Sequence, residues 1–385
     1  MIRDSLSSPP LGLYVHMPWC VRKCPYCDFN SHALKARLPA QRYIQALIAD
    51  LEADLPLVWG RGVQSIYFGG GTPSLFPAAL IDEFLSAARA RLDLAPGLEV
   101  TLEANPGTVE HDSFQAYAQA GINRVSLGVQ SFDDDALKRL GRIHGRHEVD
   151  DCLQSLKKSG ITNFNIDLMF ALPGQDIEQA RDDVRQAIAA APAHISYYQL
   201  TLEPNTVFSS RPPALPADDL AWEIQQSGLD MLQAAGFGQY EVSALAQDGL
   251  QCRHNVNYWE FGDFLAIGAG AHGKITSAGK GSVKRYAKHR HPEQYMRGLD
   301  DGDWLADRRV LAEGDLVFEF FLNRLRLRQG FSIEDFSMRT GLDWSIVEDR
   351  VQQAFDRGLL EIRHGQVNST ELGWKFVNDI QQMFL

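Results

Sequence analysis

Leu11-Gly-Leu-Tyr14-Val-His16-Met-Pro18-Trp-Cys20-Val-Arg-Lys-Cys24-Pro-Tyr26-Cys27 begins as a short β-rich apolar run, Leu11–His16, and runs directly into three cysteines within eight residues. A strand that hands reactive side chains to the loop beyond its C-terminal end is the expected first unit of a parallel α/β fold. The unit recurs to about Leu245. Further runs lie at Gln64–Phe68, Glu99–Glu103, Arg124–Val129, Phe164–Met169 and Ile195–Leu200. Between and after them lie segments of helical period: Tyr43–Val58, Leu80–Leu92, Ser113–Ala120, Val149–Lys158, Asp176–Ala190 and Asp218–Ala235. Ala120-Gly121, Ser159-Gly160 and Ala235-Gly236 read as helix stops, because glycine takes the left-handed conformation that ends a helix.

Alternating β and α units give a parallel sheet with right-handed crossovers. The expected fold class is α/β: a partial (β/α)6 TIM-type barrel with a small C-terminal helical, winged-helix-like domain. Barrel chemistry sits at the C-terminal ends of the strands. There stand His16 and the cysteines after the first run, Gly69–Thr72 after the second, Glu103 at the end of the third, Gln130 after the fourth and Asp167 near the end of the fifth.

Of 385 residues, 45% are apolar and 22% charged, ordinary globular values that argue against a disordered or fibrous chain. The 37 basic and 49 acidic side chains give a net charge of −12, which repels phosphate backbones and anionic lipid unless a local basic patch intervenes. Five cysteines are too few and too unevenly placed for a disulfide scaffold, so the crowded three read as metal chemistry in a reducing, cytoplasmic setting. Met1–Pro10 has no apolar core, and no signal peptide is expected there. No apolar run approaches the ~20 residues of a membrane span, though peripheral membrane contact stays open. From Glu313 the chain turns helical again, with a short β wing at Leu359–Ile362. Residues 308–385 carry 10 Lys/Arg against 12 Asp/Glu, with no basic stripe except Arg324, Arg326 and Arg328, so a packing or lid role is expected and no nucleic acid.

The C-x3-C-x2-C spacing suits a four-iron cluster whose fourth iron stays open to a chelating small molecule. The alternative is a structural zinc site completed by His16 or His32, since zinc normally closes with four ligands.

Further motifs follow in order: Gly69-Gly70-Gly71-Thr72-Pro73, Glu103-Ala104-Asn105-Pro106, Gly128-Val129-Gln130-Ser131 and Asp167-Leu168-Met169-Phe170-Ala171-Leu172-Pro173-Gly174. With Tyr14-x-His16-x-Pro18 before the cysteines, the set resembles the radical S-adenosylmethionine (SAM) superfamily in its coproporphyrinogen-oxidase-like branch, over about residues 11–245. The C-terminal part resembles that branch too. The resemblance implies a [4Fe-4S] cluster on Cys20, Cys24 and Cys27, SAM at the open iron, and an electron donor for the cluster. It places Tyr14, Tyr26, Gly70, Gly71, Thr72, Glu103, Gln130, Arg142 and Asp167 at SAM. Gly70, Gly71 and Thr72 lack bulk, so backbone carbonyls have room to approach the ammonium of the methionine moiety. Glu103 accepts hydrogen bonds from ammonium or ribose hydroxyls.

Two features choose within the branch. The decarboxylating enzyme carries a fourth cysteine two residues after the third, where this chain has Phe29, and a long leader where this chain reaches its first thiol at Cys20. In addition, Arg253-His254-Asn255-Val256-Asn257-Tyr258-Trp259 resembles the H-N-x-x-Y-W signature of the HemW type, the haem chaperones of the branch. That implies haem as ligand and a haem-accepting protein as partner. His254 would be the axial nitrogen, Asn255 its orienting neighbour, and Tyr258 and Trp259 flat surfaces for the porphyrin. Cys252 and His272 are further ligand candidates. Cys152 reads as packed, and His289, Arg290 and His291 as a solvated turn.

The expected organisation is 1–245 for the core barrel with the cluster and SAM, 246–307 for a less regular connecting region with the haem motif, and 308–385 for the C-terminal domain. The expected function is a haem chaperone carrying a SAM-coordinated cluster. Coproporphyrinogen oxidase activity is not expected, and residual SAM cleavage stays open. The alternatives are oxygen-independent coproporphyrinogen III oxidation, a decarboxylation of propionates to vinyls, and a radical methyltransferase or cyclase acting on haem.

Overall fold

The computed structural model describes residues 6–107 and 112–385, so the start of the Met1–Pro10 stretch lies outside the described residues. All six expected strands form: Leu11–Met17 (β1), Gly62–Gly70 (β2), Asp93–Ala104 (β3), Arg124–Gln130 (β4), Asn163–Phe170 (β5) and His194–Gln199 (β6). Each pairs in parallel with the next. The helices between and after them are Ala40–Val58 (α1), Ala78–Arg91 (α2), Phe114–Ala120 (α3), Arg146–Lys158 (α4), Ile177–Ala189 (α5) and Asp218–Ala234 (α6). Their apolar stripes join the strands in one core. Ile81, Phe84 and Leu85 of α2 and Val149 and Leu156 of α4 belong to the same cluster as Phe68, Leu102, Leu127 and Ile166. The three small-residue–glycine stops take left-handed φ of 112°, 84° and 89°.

The stretch after Gly236 corrects the reading of an irregular connection. Gly238–Glu241 (β7) and Ala244–Ala246 (β8) add antiparallel strands beyond β6, and Arg253–Trp259 forms a short helix, α7. The chain then crosses to the other flank, where Asp263–Ile267 (β9) lies parallel to β1. His272–Ser277 (β10), Ser282–Lys288 (β11) and Leu305–Val310 (β12) continue antiparallel, with Pro292–Asp301 (α8) between the last two. One sheet of twelve strands results, in the order β12-β11-β10-β9-β1-β2-β3-β4-β5-β6-β8-β7. β9 is buried at every position, so no polar–apolar alternation marks it as a strand. Among the described residues, no helix is long and apolar enough to cross a membrane.

The last part is the expected mix of helices and a β wing. It comprises Glu313–Arg324 (α9), Ile333–Thr340 (α10), Glu348–Asp356 (α11), the hairpin Leu360–Arg363 (β13) and Gln366–Ser369 (β14), and two short closing helices. Phe320, Phe321, Phe331 and Phe336 form its core. Arg324, Arg326 and Arg328 are engaged by neighbours rather than ranged as a stripe. Arg324 is buried and donates to Gly330 O, Arg326 pairs with Glu241 at 3.1 Å beneath the edge strand β7, and Arg328 pairs with Glu371.

Candidate functional site

The cysteine loop leaves β1 at Met17 and is stapled to the end of β2. Gly71 N–H donates to Met17 O and Thr72 N–H to Trp19 O, each at 2.7 Å, and Trp19–Cys20 forms a short parallel ladder with His32–Ala33. A Cβ on Gly70, at φ 113°, would strike the His16 ring, and one on Gly71 would meet the Trp19 and Met17 carbonyl oxygens. The bare faces of these two glycines are therefore filled by the protein itself. Their lack of a side chain thus lets the cysteine loop lie close on the barrel rim.

Cys20, Cys24 and Cys27 line one cavity with Tyr26, Gly70, Gly71, Thr72, Glu103, Gln130, Arg142 and Asp167. All the residues expected at SAM converge there except Tyr14, which lines an adjoining cavity sharing Phe29, Gly70 and Glu103. Burial raises the Cys20 and Cys27 thiols, opposed at Cys20 by hydrogen bonds from Thr72 and Ser31. Among the described residues no three His, Cys, Asp or Glu side chains converge so as to hold a metal ion. Both histidines named for zinc have other partners: His16 Nδ1 pairs with Tyr14 Oη (2.9 Å) and Nε2 with Asn30 O (2.8 Å), and His32 Nε2 with Arg290 O (3.2 Å).

Glu103 accepts from Tyr67 Oη at 2.9 Å and from Gly70 N–H at 3.0 Å. Burial nevertheless pushes its carboxyl up to about 7, with Asp167 adding to the rise. Asp167 is raised by burial as well, and is oriented by Asn165 Nδ2 at 2.7 Å. Gln130 holds a left-handed φ of 71°, and its Oε1 accepts from Tyr198 Oη at 2.6 Å. Arg142 donates to Gly128 O at 2.7 Å and to Asn105 Oδ1, and places Nη1 3.5 Å from both Cys24 Sγ and Tyr26 Oη. Its buried Nε has no hydrogen-bond partner. A buried guanidinium with a spare donor, beside a thiol and facing a cavity, suits the carboxylate of an amino-acid-like ligand. Asn105 and Tyr198 were not singled out from the sequence. Asn105 lay inside a quoted motif, whereas nothing local marks Tyr198.

The haem motif is dispersed. His254 lies inside the barrel at 2% exposure, with Nδ1 2.9 Å from Ser65 Oγ and its ring stacked on Tyr67 at 5.0 Å. Burial, then Arg124, lowers it to about 3, so the imidazole is neutral, and Nε2 has no partner. Asn255 is half-buried on the same helix. Tyr258 faces the adjoining cavity, stacked on Phe264 at 4.0 Å. Trp259 points toward the C-terminal domain under the Arg326 guanidinium. Cys252 is fully buried near Glu99, and its thiol is pushed up to about 12, as is that of Cys152, so both behave as packed thiols. The turn at His289–His291 is more than a solvated loop. Asn30 Nδ2 donates to Arg290 O, and the Arg290 side chain lines the adjoining cavity.

Comparison with known proteins agrees with this architecture. Residues 14–187 match the model of the radical SAM superfamily, and residues 311–376 that of the HemN C-terminal domain. The chain is 48% identical to "Heme chaperone HemW" of Haemophilus influenzae, across 98% of both chains. It is also 48% identical to the protein of the same name from Escherichia coli, again across 98% of each. Among solved structures, the coproporphyrinogen III oxidase HemN of Escherichia coli superposes with a TM-score of 0.82 at 21% identity, over 99% of this chain and 92% of that one, a likeness of fold. The chain belongs to the HemW family of HemN-like radical SAM proteins.

Proposed function

We propose that this protein binds haem and passes it to an acceptor protein, and that it carries a [4Fe-4S] cluster with SAM. The observation that carries the reading is its full-length identity of 48% to proteins named haem chaperones. Cys20, Cys24 and Cys27 would hold the cluster. When bound, such a cluster offers an open iron for the amine and carboxylate of SAM and an electron for its sulfonium. Around it Arg142 holds the carboxylate, Glu103 accepts from the amine or the ribose, and Gln130 and Asp167 complete the polar wall. Phe29, 61% exposed, stands where the oxidase pattern has its fourth cysteine, and presents an apolar ring at the mouth of both cavities. The same reading takes 308–385 as a packing unit, supported by its cluster of Phe320, Phe321, Phe331 and Phe336, against which Leu6, Phe261 and Val283 of the preceding chain also pack.

The test combines two assays on one reconstituted batch. Haem-loaded protein mixed with an apo-haemoprotein acceptor is expected to lose its haem band as acceptor activity appears. Anaerobic incubation with coproporphyrinogen, SAM and reductant is expected to yield no protoporphyrinogen. Sustained protoporphyrinogen formation would overturn the chaperone reading.

Glu103 gives SAM binding a pH signature. Its folded-state carboxyl is raised to about 7, so the folded chain holds a proton there that the unfolded chain has released above its ordinary value near 4.5. Stability from this group therefore falls as pH rises from about 4.5 to 7, while the carboxylate that SAM needs appears over the upper part of that range. SAM affinity is expected to rise between pH 6 and 8, and Glu103→Gln to flatten the profile, both read by calorimetric titration. An unchanged slope in the variant counts against Glu103.

A further inference from the structure

The adjoining cavity is the second concave feature at the barrel mouth, sharing Gly70 and Glu103 with the thiol-lined cavity and bordered by Tyr14. It encloses about 550 Å³, within the ~300–1,000 Å³ of small-molecule sites. One wall is the cysteine loop with Phe29. The rest of the lining comes largely from the part of the chain whose strands were not legible: Phe264 on β9, His272 on β10, Arg285 on β11 and the nearby Arg290. Its chemistry differs from that of the thiol-lined cavity. Tyr258 and Phe264 form a stacked aromatic pair at 4.0 Å, and Arg285 lies across the Phe264 ring at 5.2 Å, fixed by Glu319. Arg290 is exposed and has no acidic partner among the described residues, although the protein as a whole is acidic. The His272 ring makes no hydrogen bond among the described residues.

An aromatic platform, a further ring in the same lining, an imidazole and two guanidiniums together describe a receptor for a flat metalloporphyrin with two carboxylates. We infer that this cavity is where the chain holds haem, with His272 on the iron, Arg285 and Arg290 on the propionates, and Phe29, Tyr258 and Phe264 against the ring. His254 is then a positioning residue. Buried beneath Tyr67, it steadies the hydroxyl that orients Glu103 and reaches no porphyrin. The inference rests on the chain being a haem carrier and adds the location of the cargo.

Ferric protoporphyrin IX and its dimethyl ester, whose propionates are uncharged, are titrated into full-length cluster-loaded protein, and binding is followed by visible absorbance. His272→Ala is expected to shift the haem band and weaken binding about tenfold or more. Arg290→Glu is expected to weaken the diacid about tenfold and leave the ester unaffected. His254→Gln, which keeps a polar side chain in its buried place, is expected to retain the wild-type haem spectrum. If His272→Ala and Arg290→Glu titrate like wild type while His254→Gln loses the band, the location is wrong and the carrier reading stands. If wild type itself binds no haem, the carrier reading fails and this inference with it.

Discussion

An Arg142→Met chain is expected to bind SAM about 100-fold more weakly than wild type, roughly 2.7 kcal/mol, while keeping its iron. Methionine preserves much of the volume but removes every donor. The guanidinium is tied to Gly128 O and Asn105 Oδ1, so in the parent chain it is already oriented at the cavity wall before any ligand arrives. A preformed donor avoids the cost of ordering a long side chain on binding. Arg142→Lys keeps the charge but loses the fork, and an intermediate loss of about tenfold is expected. Because Nη1 also approaches Cys24 Sγ, iron must be quantified beside the SAM titration. Iron retained with SAM lost assigns Arg142 to the ligand, whereas iron and SAM lost together would assign it to the thiols.

Lys288→Met is expected to cost about 3–5 kcal/mol at neutral pH. Lys288 Nζ lies 2.6 Å from both Asp50 and Asp54 of α1, with the lysine side chain fully buried. Removing the cation leaves two carboxylates in the core. Even with Lys288 present, burial pushes Asp54 up to about 6. The folded state thus holds a proton there that the unfolded state gives up above its ordinary value near 3.8, so stability from Asp54 declines as pH rises through the window from about 4 to 6. Without the lysine the window moves higher. The deficit in melting temperature is therefore expected to be largest near pH 8 and to shrink on acidification toward pH 5. A deficit independent of pH would show that lost packing, rather than unpaired charge, sets the cost.

The barrel half was legible because each strand there announces itself twice, by a β-rich run and by a chemically odd residue at its C-terminal end. The thiols, Glu103, Gln130, Arg142 and Asp167 do meet in one cavity, as a parallel sheet with its loops on one rim requires. The other flank stayed hidden for two reasons. β9 is buried throughout, and the Gly268-Ala269-Gly270-Ala271 stretch after it looks like a breaker although it lies within a sheet connection. The haem motif is dispersed because its spacing says nothing of facing. On the short helix α7, His254 turns inward while Tyr258 borders a cavity and Trp259 turns to the C-terminal domain. Arg285 and Arg290 carry no local signal, since only the pairing of β9, β10 and β11 brings them to Phe264.

Asn30, in the loop that follows the cysteines, ties that loop to the adjoining cavity through one side chain and one carbonyl. Its Nδ2 donates to Ala269 O and Arg290 O on the basic wall, and its carbonyl pairs with His16 Nε2 beside the thiol loop. Gly270 leaves the room it needs, since a Cβ there would collide with the Asn30 amide. If assembly of the cluster orders that loop, these hydrogen bonds connect the ordering to the wall proposed for haem, and thermodynamic reciprocity then applies. If assembly of the thiol-bound cluster tightens haem by some factor, haem must tighten the cluster by the same factor. Cargo on board would then protect the chain's own iron from chelators, and an empty carrier would be the form that loses it.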